Sequence, residues 1–130
     1  MKRAYLGFKF YEDMRNRELI EAVDAVFKKL GMETVVIVRD FEVFGEKKYD
    51  PRVLMAKAFK EIDGVDVVLI EFSEKGVGLG IEAGYAAAKQ KPVWVIAKTG
   101  SEVSSTLAGI ADKIIFYDKP EDLIDLLRAV

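Results

Sequence analysis

Short apolar runs rich in β-branched and aromatic residues alternate along this chain with segments of helical periodicity. The apolar runs lie at 4–10, 34–38, 66–72, 93–97 and 113–117. The helical patterns lie at 17–30, 51–62, 81–90, in a short stretch that ends near 111, and at 120–129. Continuously apolar runs suit strands covered on both faces, and short helical connections suit a parallel sheet. The alternation therefore predicts a three-layer, doubly wound α/β fold of the flavodoxin-like or Rossmann-like kind, with five parallel strands in the order 2-1-3-4-5.

Residues with strong local preferences mark several boundaries of these elements. Gly31 follows the first helical pattern, at the position where a left-handed helix cap is common. Asp50 and Pro51 form a helix start, with the acid as N-cap and the proline at the first helical position. We find no internal repeat or linker, and 130 residues suffice for one core, so we expect a single domain over 1–130.

Composition excludes several classes of function. The formal charge of -2 lacks the basic excess of most nucleic-acid-binding surfaces, so nucleic acid is not an expected partner. The sequence contains no Cys and no His, which excludes disulfides, thiolate metal sites and triads built on His. We therefore expect no metal. The N-terminal residues lack the apolar core of a signal peptide, and no apolar stretch approaches the ~20 residues of a membrane span, so we expect a cytoplasmic protein without membrane contacts.

A glycine-rich segment follows the third predicted strand, at the sheet edge where ligands of such folds bind. Gly76, Gly78 and Gly80 precede Glu82, which the pattern places in the first turn of the next helix. The segment lacks the dinucleotide-binding spacing and a Lys-Ser pair, so it predicts no nicotinamide or ATP cofactor. The helix dipole would keep Glu82 ionised, and an ionised carboxylate can attack a sugar anomeric carbon. The alternative is an acid that serves only the helix dipole.

The stretch from 66 to 93, which reads DVVLIEF and then GLGIEAGYAAAKQKPV, resembles the nucleoside 2-deoxyribosyltransferase family and its deoxynucleoside 5'-monophosphate N-glycosidase relatives. Glu82, Gly84, Lys91 and Pro92 fit the pattern of that family. Ala4-Tyr5-Leu6-Gly7 matches its first strand, where a tyrosine hydroxyl lies close to the nucleophilic glutamate. The resemblance thus implies Tyr5 as the partner of Glu82.

The resemblance implies a retaining double displacement at C1' of a nucleoside or nucleotide, with no cofactor. Glu82 would attack as the base leaves, and water or a second base would then release the sugar. The relatives also pair subunits around the site, which implies a homodimer or higher homo-oligomer, and the aromatics Phe41, Phe44 and Tyr49 near loops favour one. The predicted substrate-binding residues are Gly7, Lys9, Gly76, Gly78, Gly80, Ser104 and Ser105. The resemblance implies a serine at the phosphate, with Ser105 as the closest match and Ser104 as the alternative. The phosphate-preferring relatives have serine and arginine where this chain has Lys9 and Tyr11, and the charge of Lys9 makes it a candidate for the phosphate contact.

The chain departs from the family pattern on the second long helix. Family members carry an aspartate eight positions before the strand-three aspartate, and counting back from Asp66 gives Ala58. Glu61, one helical turn later, is a possible substitute. The departure leaves a second hypothesis open, in which the chain is a non-catalytic module that binds a nucleotide or sugar phosphate. The sequence also does not decide between a purine and a pyrimidine base, between ribose and deoxyribose, or between a nucleoside and its 5'-phosphate. Hydrolysis and base exchange both remain open.

Overall fold

The computed structural model describes residues 2–128 and contains one five-stranded parallel sheet. The strands are β1 (Arg3–Gly7), β2 (Glu33–Val35), β3 (Val67–Glu71), β4 (Val93–Lys98) and β5 (Lys113–Tyr117). Their order is β2-β1-β3-β4-β5, with every neighbouring pair parallel. The predicted fold class and strand order are therefore confirmed.

Helices cover both faces of this sheet. They are α1 (Arg17–Lys29), α2 (Ile37–Asp40), α3 (Pro51–Asp63), α4 (Val77–Ala88), α5 (Ser105–Ala108) and α6 (Leu123–Arg128), with a 3-10 turn at Pro120–Asp122. Leu6 and Leu69 pack toward the α1 and α6 face, whereas Tyr5 and Val68 pack toward the α3 and α4 face. Because successive side chains of a strand point to opposite faces, Tyr5 of β1 is directed at the helix that follows β3.

Two helix boundaries follow the predicted local chemistry. The carboxylate of Asp50 accepts a hydrogen bond from the backbone N–H of Arg52 at 3.2 Å, and Pro51 occupies the first helical position. Gly31 has a φ of +81°, the left-handed conformation expected after α1.

Three other boundaries were predicted wrongly. The first strand ends at Gly7 rather than at 10. The second strand ends at Val35, and residues 37 and 38 belong to α2, because the Val36 N–H donates to the Asp40 carboxylate at 2.9 Å and the backbone leaves the sheet there. Helix α4 begins at Val77 rather than at 81, so most of the glycine-rich segment is helical. Continuous apolar runs and helix interiors cannot be distinguished by periodicity over such short lengths. The position 129 at the end of the predicted last helix lies outside the described residues.

Glu71 is buried at the end of the central strand β3 and links it by a hydrogen bond to the edge strand β5. Its carboxylate accepts hydrogen bonds from the Ser73 backbone N–H at 2.9 Å, from the Ser73 hydroxyl at 2.6 Å and from the Tyr117 hydroxyl of β5. The side chain is thus fully engaged in structural contacts. Within residues 2–128, none of the helices combines the length and apolarity that crossing a bilayer requires.

Candidate active site

Strand β1 and helix α4 bring together two functional groups that are distant in sequence. The hydroxyl of Tyr5 donates a hydrogen bond to Oε1 of Glu82. Tyr5 is completely buried in the sheet, whereas Glu82 is half-buried and lines a cavity. A rigid strand therefore holds the donor that orients this carboxylate, as the resemblance implied for Tyr5.

Burial dominates the electrostatics of this pair. It raises the pKa of Glu82 from 4.5 to about 7, although the hydrogen bond from Tyr5 acts in the opposite direction. Burial and the charge of Glu82 also raise the pKa of the Tyr5 hydroxyl, so Tyr5 stays a proton donor near neutral pH.

The prediction that the helix dipole keeps Glu82 ionised is wrong. Because α4 starts at Val77, Glu82 lies in the second turn, and the first turn of α4 contains no acidic residue. The dipole acts mainly on the first turn of a helix. Desolvation therefore decides the protonation of Glu82, and the carboxyl titrates close to neutrality instead of staying charged.

Six of the predicted site residues surround one cavity of about 320 Å³ at the carboxyl end of β1. The cavity is also lined by Val36 and by residues of α2 and α3. The six residues that the structure brings together here are Tyr5, Glu82, Gly7, Lys9, Gly76 and Gly78.

The glycines around this cavity and along α4 are explained by different physical causes. A Cβ on Gly7 would lie 2.9 Å from Cδ1 of Ile70 and 3.6 Å from a methyl group of Leu79, so packing within the protein accounts for this glycine. A Cβ on Gly78, Gly80 or Gly84 would meet no atom within 4 Å, and none of the three has a positive φ. These helical glycines leave open space beside α4, and the backbone conformation does not require glycine there. Each lowers the stability of the helix by about 1 kcal/mol relative to alanine.

Lys9 is the cationic side chain of the cavity, at the end where α4 begins. Its Nζ lies 3.5 Å from the Glu74 carboxylate and 5.3 Å from the centre of the Tyr11 ring. The charge of Lys9 is therefore shared with Glu74 before any ligand enters.

The other predicted substrate-binding residues line a second cavity. Gly80, Ser104 and Ser105 surround a space of about 720 Å³ between α4 and α5. Gly76 and Val77 border both cavities. The structure therefore places the two serines next to the Glu82 cavity but not within it.

The departure from the family pattern lies on helix α3, at a residue that lines the Glu82 cavity. Ala58 is buried and lines the cavity, so the methyl group lies where the resemblance implied an acid. Glu61 forms an ion pair with Arg3 at 3.5 Å and does not line the cavity, so it does not replace that acid.

Sequence reasoning missed Glu42, a second carboxylate that lines the same cavity. Burial raises the pKa of this half-buried acid, and its charge contributes to the raised pKa of Tyr5. Glu42 lies in a polar segment between α2 and α3 without a recognisable motif, so the sequence carried no signal for it. Among residues 2–128, no group of acids is arranged to hold a metal ion.

Comparisons with known proteins find structures but no sequence relatives. No family model and no curated protein matches the sequence. The CMP N-glycosidase BcmB of Clostridium botulinum superposes with a TM-score of 0.72 at 17% identity, covering 98% of each chain. A 2-deoxyribosyltransferase of Bacillus psychrosaccharolyticus gives a TM-score of 0.72 at 15% identity, covering 95% of this chain and 90% of the other.

A third solved structure, BlsM, gives a TM-score of 0.76 at 18% identity and covers 98% of this chain and 88% of the other. Identities this low show a shared fold. Two of the three proteins are named as an N-glycosidase and a deoxyribosyltransferase, the two kinds of protein that the sequence resembles. The resemblance is thus confirmed as a likeness of fold.

The raised pKa of Glu82 predicts that folding stability falls with pH. From about pH 4.5 to about pH 7 the carboxyl is ionised in the unfolded chain but protonated in the folded one, so stability falls through this window by up to roughly 3 kcal/mol. Glu82→Gln should remove this component, which denaturant unfolding at a series of pH values measures in both proteins. Equal pH dependence in wild type and variant would contradict the assignment.

The open space at the helical glycines predicts that alanine is tolerated there. Gly84→Ala and Gly78→Ala should each raise the free energy of unfolding by about 0.5–1 kcal/mol, because alanine restricts the unfolded chain and meets no neighbour. Urea titration of the two variants against wild type measures this. A loss of stability in Gly84→Ala, which lies away from both cavities, would show that the helix requires glycine for packing.

Proposed function

We propose that this chain breaks the N-glycosidic bond of a nucleoside or nucleotide, with Glu82 as the nucleophile at C1' of the sugar. The observation that carries the proposal is the Tyr5–Glu82 hydrogen bond at the wall of a cavity. A carboxylate that is held by a rigid donor, partly desolvated and open to a ligand is suited to covalent catalysis at an anomeric carbon. The fold shared with an N-glycosidase and a deoxyribosyltransferase supports the choice of bond.

The reaction follows from the chemistry of the pair. An oxygen of ionised Glu82 forms a bond to C1', the electron pair of the C1'–N bond moves to the base, and the departing base takes up a proton. Water then attacks C1', gives up a proton and releases the carboxylate, whereas a second base in place of water gives base exchange. Tyr5 would keep the attacking oxygen in place and stabilise the ionised form of Glu82.

Lys9 and the amino end of α4 would accept a 5'-phosphate. The N–H groups of the first turn point away from the helix body, and Gly76 and Gly78 leave their approach uncovered. An entering phosphate would compete with Glu74 for Lys9. Ser104 and Ser105 line the neighbouring cavity, so a direct contact from them requires a ligand that extends past Val77.

We also propose that the chain forms a homodimer or a higher homo-oligomer in the cytoplasm. Exposed apolar side chains favour self-association, since such surfaces often mark interfaces. Val77, which is 83% exposed, and Ile110 line the second cavity, and Ile81, Ile114 and Phe116 are also exposed. Phe41 and Tyr49 instead pack edge to face within the chain, and Arg17 covers Phe44, so these aromatics do not carry the proposal.

Replacement of the proposed nucleophile tests the function. Purified protein incubated with ribo- and deoxyribonucleosides and their 5'-monophosphates should release free base, and Glu82→Gln should lower that rate by about 1,000-fold or more, because glutamine does not form the glycosyl ester. Chromatography of the products measures both rates. Glu46→Gln, which changes an exposed acid outside the cavity, is the matched control and should keep full activity.

Absence of base release from every substrate would defeat the enzyme proposal. Full activity in Glu82→Gln would defeat the assignment of the nucleophile. An added acceptor base separates the two outcomes of the second step, since a new nucleoside indicates exchange and free sugar indicates hydrolysis.

Ala58 favours a second candidate function, a module that binds the nucleotide without cleaving it. Loss of one catalytic acid commonly costs about 100- to 10,000-fold in rate, which is enough to leave binding as the working activity. In that case calorimetry should show a nucleotide that binds, and chromatography should recover it intact after long incubation. Slow base release that depends on Glu82 would contradict the binding module.

A further inference from the structure

We propose that Glu42 contacts the base of the substrate and selects bases that carry an exocyclic amino group, such as cytosine and adenine. The inference rests on the proposed function, because it requires a nucleoside or nucleotide whose sugar faces Glu82. It adds a specificity-determining residue that no part of the sequence pattern indicates.

The Glu42 carboxylate is available to a ligand. Burial alone accounts for its raised pKa, and among the hydrogen bonds and ion pairs of residues 2–128 none engages its side chain. Since no buried side-chain oxygen or nitrogen in this part of the chain lacks a partner, the Glu42 oxygens are accessible to solvent, and Glu42 is part of the cavity lining. Two acids line this cavity, Glu82 and Glu42. Glu82 accepts a hydrogen bond from Tyr5, so Glu42 is the acid of the lining without a protein partner among the described residues.

The backbone around Glu42 is fixed before a ligand binds. Its N–H donates to the Ile37 carbonyl at 3.1 Å, and its carbonyl accepts from the N–H groups of Gly45 at 3.0 Å and Lys47 at 2.9 Å. Val43 and Phe44 follow with φ values of 48° and 52°, a left-handed conformation that is costly for a β-branched residue. The surrounding hydrogen bonds hold this turn, so the backbone from which the Glu42 side chain extends has a defined position beside the cavity.

Apolar side chains that suit the flat face of a base line the same cavity as Glu42. They are Ile37 of α2 and Leu54, Met55 and Ala58 of α3, and Lys9 and the glycines also belong to this lining. A nucleotide with its sugar at Glu82 and its phosphate toward Lys9 would extend its base between these apolar side chains. Ala58 leaves the space beside them free of a second carboxylate, and Glu42 supplies the polar group that the base would meet.

The chemistry of a carboxylate decides which bases fit. An ionised carboxylate accepts hydrogen bonds and donates none, whereas a protonated one can also donate, so the selection requires the ionised form of Glu42. The amino groups of cytosine and adenine donate to such an oxygen, whereas the oxo groups of uracil and hypoxanthine at the same ring positions repel it. A buried polar group left without its partner discriminates strongly between such analogues.

The test compares matched substrates that differ in this group. Cytidine against uridine 5'-monophosphate, and adenosine against inosine 5'-monophosphate, are each supplied in ribo and 2'-deoxy form, and kcat/KM is measured by base release. Wild type should prefer the amino-bearing member of each pair by about 10- to 100-fold. Glu42→Gln should bring the ratio close to one, because the glutamine amide both donates and accepts and can pair with either edge.

Glu46→Gln in the same turn is the control and should keep the wild-type ratio, and circular dichroism checks that both variants fold. Glu82-dependent cleavage without an amino preference, or a preference that survives in Glu42→Gln, would overturn the inference and leave the proposed function in place. No cleavage of any substrate by wild type would overturn the proposed function and the inference with it.

Discussion

The hydrogen bond between Tyr5 and Glu82 depends on the strand order, and the chemistry of the site depends on that bond. Strand β1 lies beside β3, with Tyr5 opposite Val68, and α4 returns over the same face of the sheet. A tyrosine at a fixed position on a buried strand loses little entropy when it holds its acceptor. The oxygen that it holds belongs to helix α4, which lines the cavity, so the sheet itself positions the Glu82 carboxyl.

Burial of the Glu82 carboxyl has opposite effects on its protonation and on its proposed role. Desolvation favours the protonated form, whereas the proposed attack on a sugar requires the ionised form. With a pKa of about 7, both forms are populated near neutral pH. Tyr5 moderates the penalty because its hydrogen bond stabilises the charged state. The carboxyl is thus neither a stable surface charge nor a permanently neutral core group, which is the condition in which a carboxylate is a useful nucleophile near neutral pH.

The cavity lining combines two kinds of groups. Glycines and Lys9 come from β1, the loop that follows it and the start of α4, whereas apolar side chains come from α3. In the proposed function the first group would meet the sugar and phosphate and the second would meet the base. Helix α3 contributes the methyl group of Ala58, and the second carboxylate of the lining, Glu42, comes from the turn after α2.

Alternating apolar and helical segments were enough to predict the strand order, because β-branched runs joined by short helical crossovers permit few arrangements. The resemblance around Glu82 and Tyr5 correctly paired two residues that lie on different elements. The predictions failed at Ile37 and at Val77, because short apolar or glycine-rich stretches do not determine where a helix begins. Glu42 could not be predicted, since the cavity that it lines is formed by segments that are distant along the chain.

The sequence by itself determined the fold and indicated Tyr5 and Glu82 as neighbours, because hydrophobic periodicity and short motifs are properties of neighbouring residues. Tertiary structure decided the protonation of Glu82, the division between the two cavities and the inclusion of Glu42. These depend on desolvation and on distances between segments that are far apart along the chain, and such quantities exist only when the chain is folded.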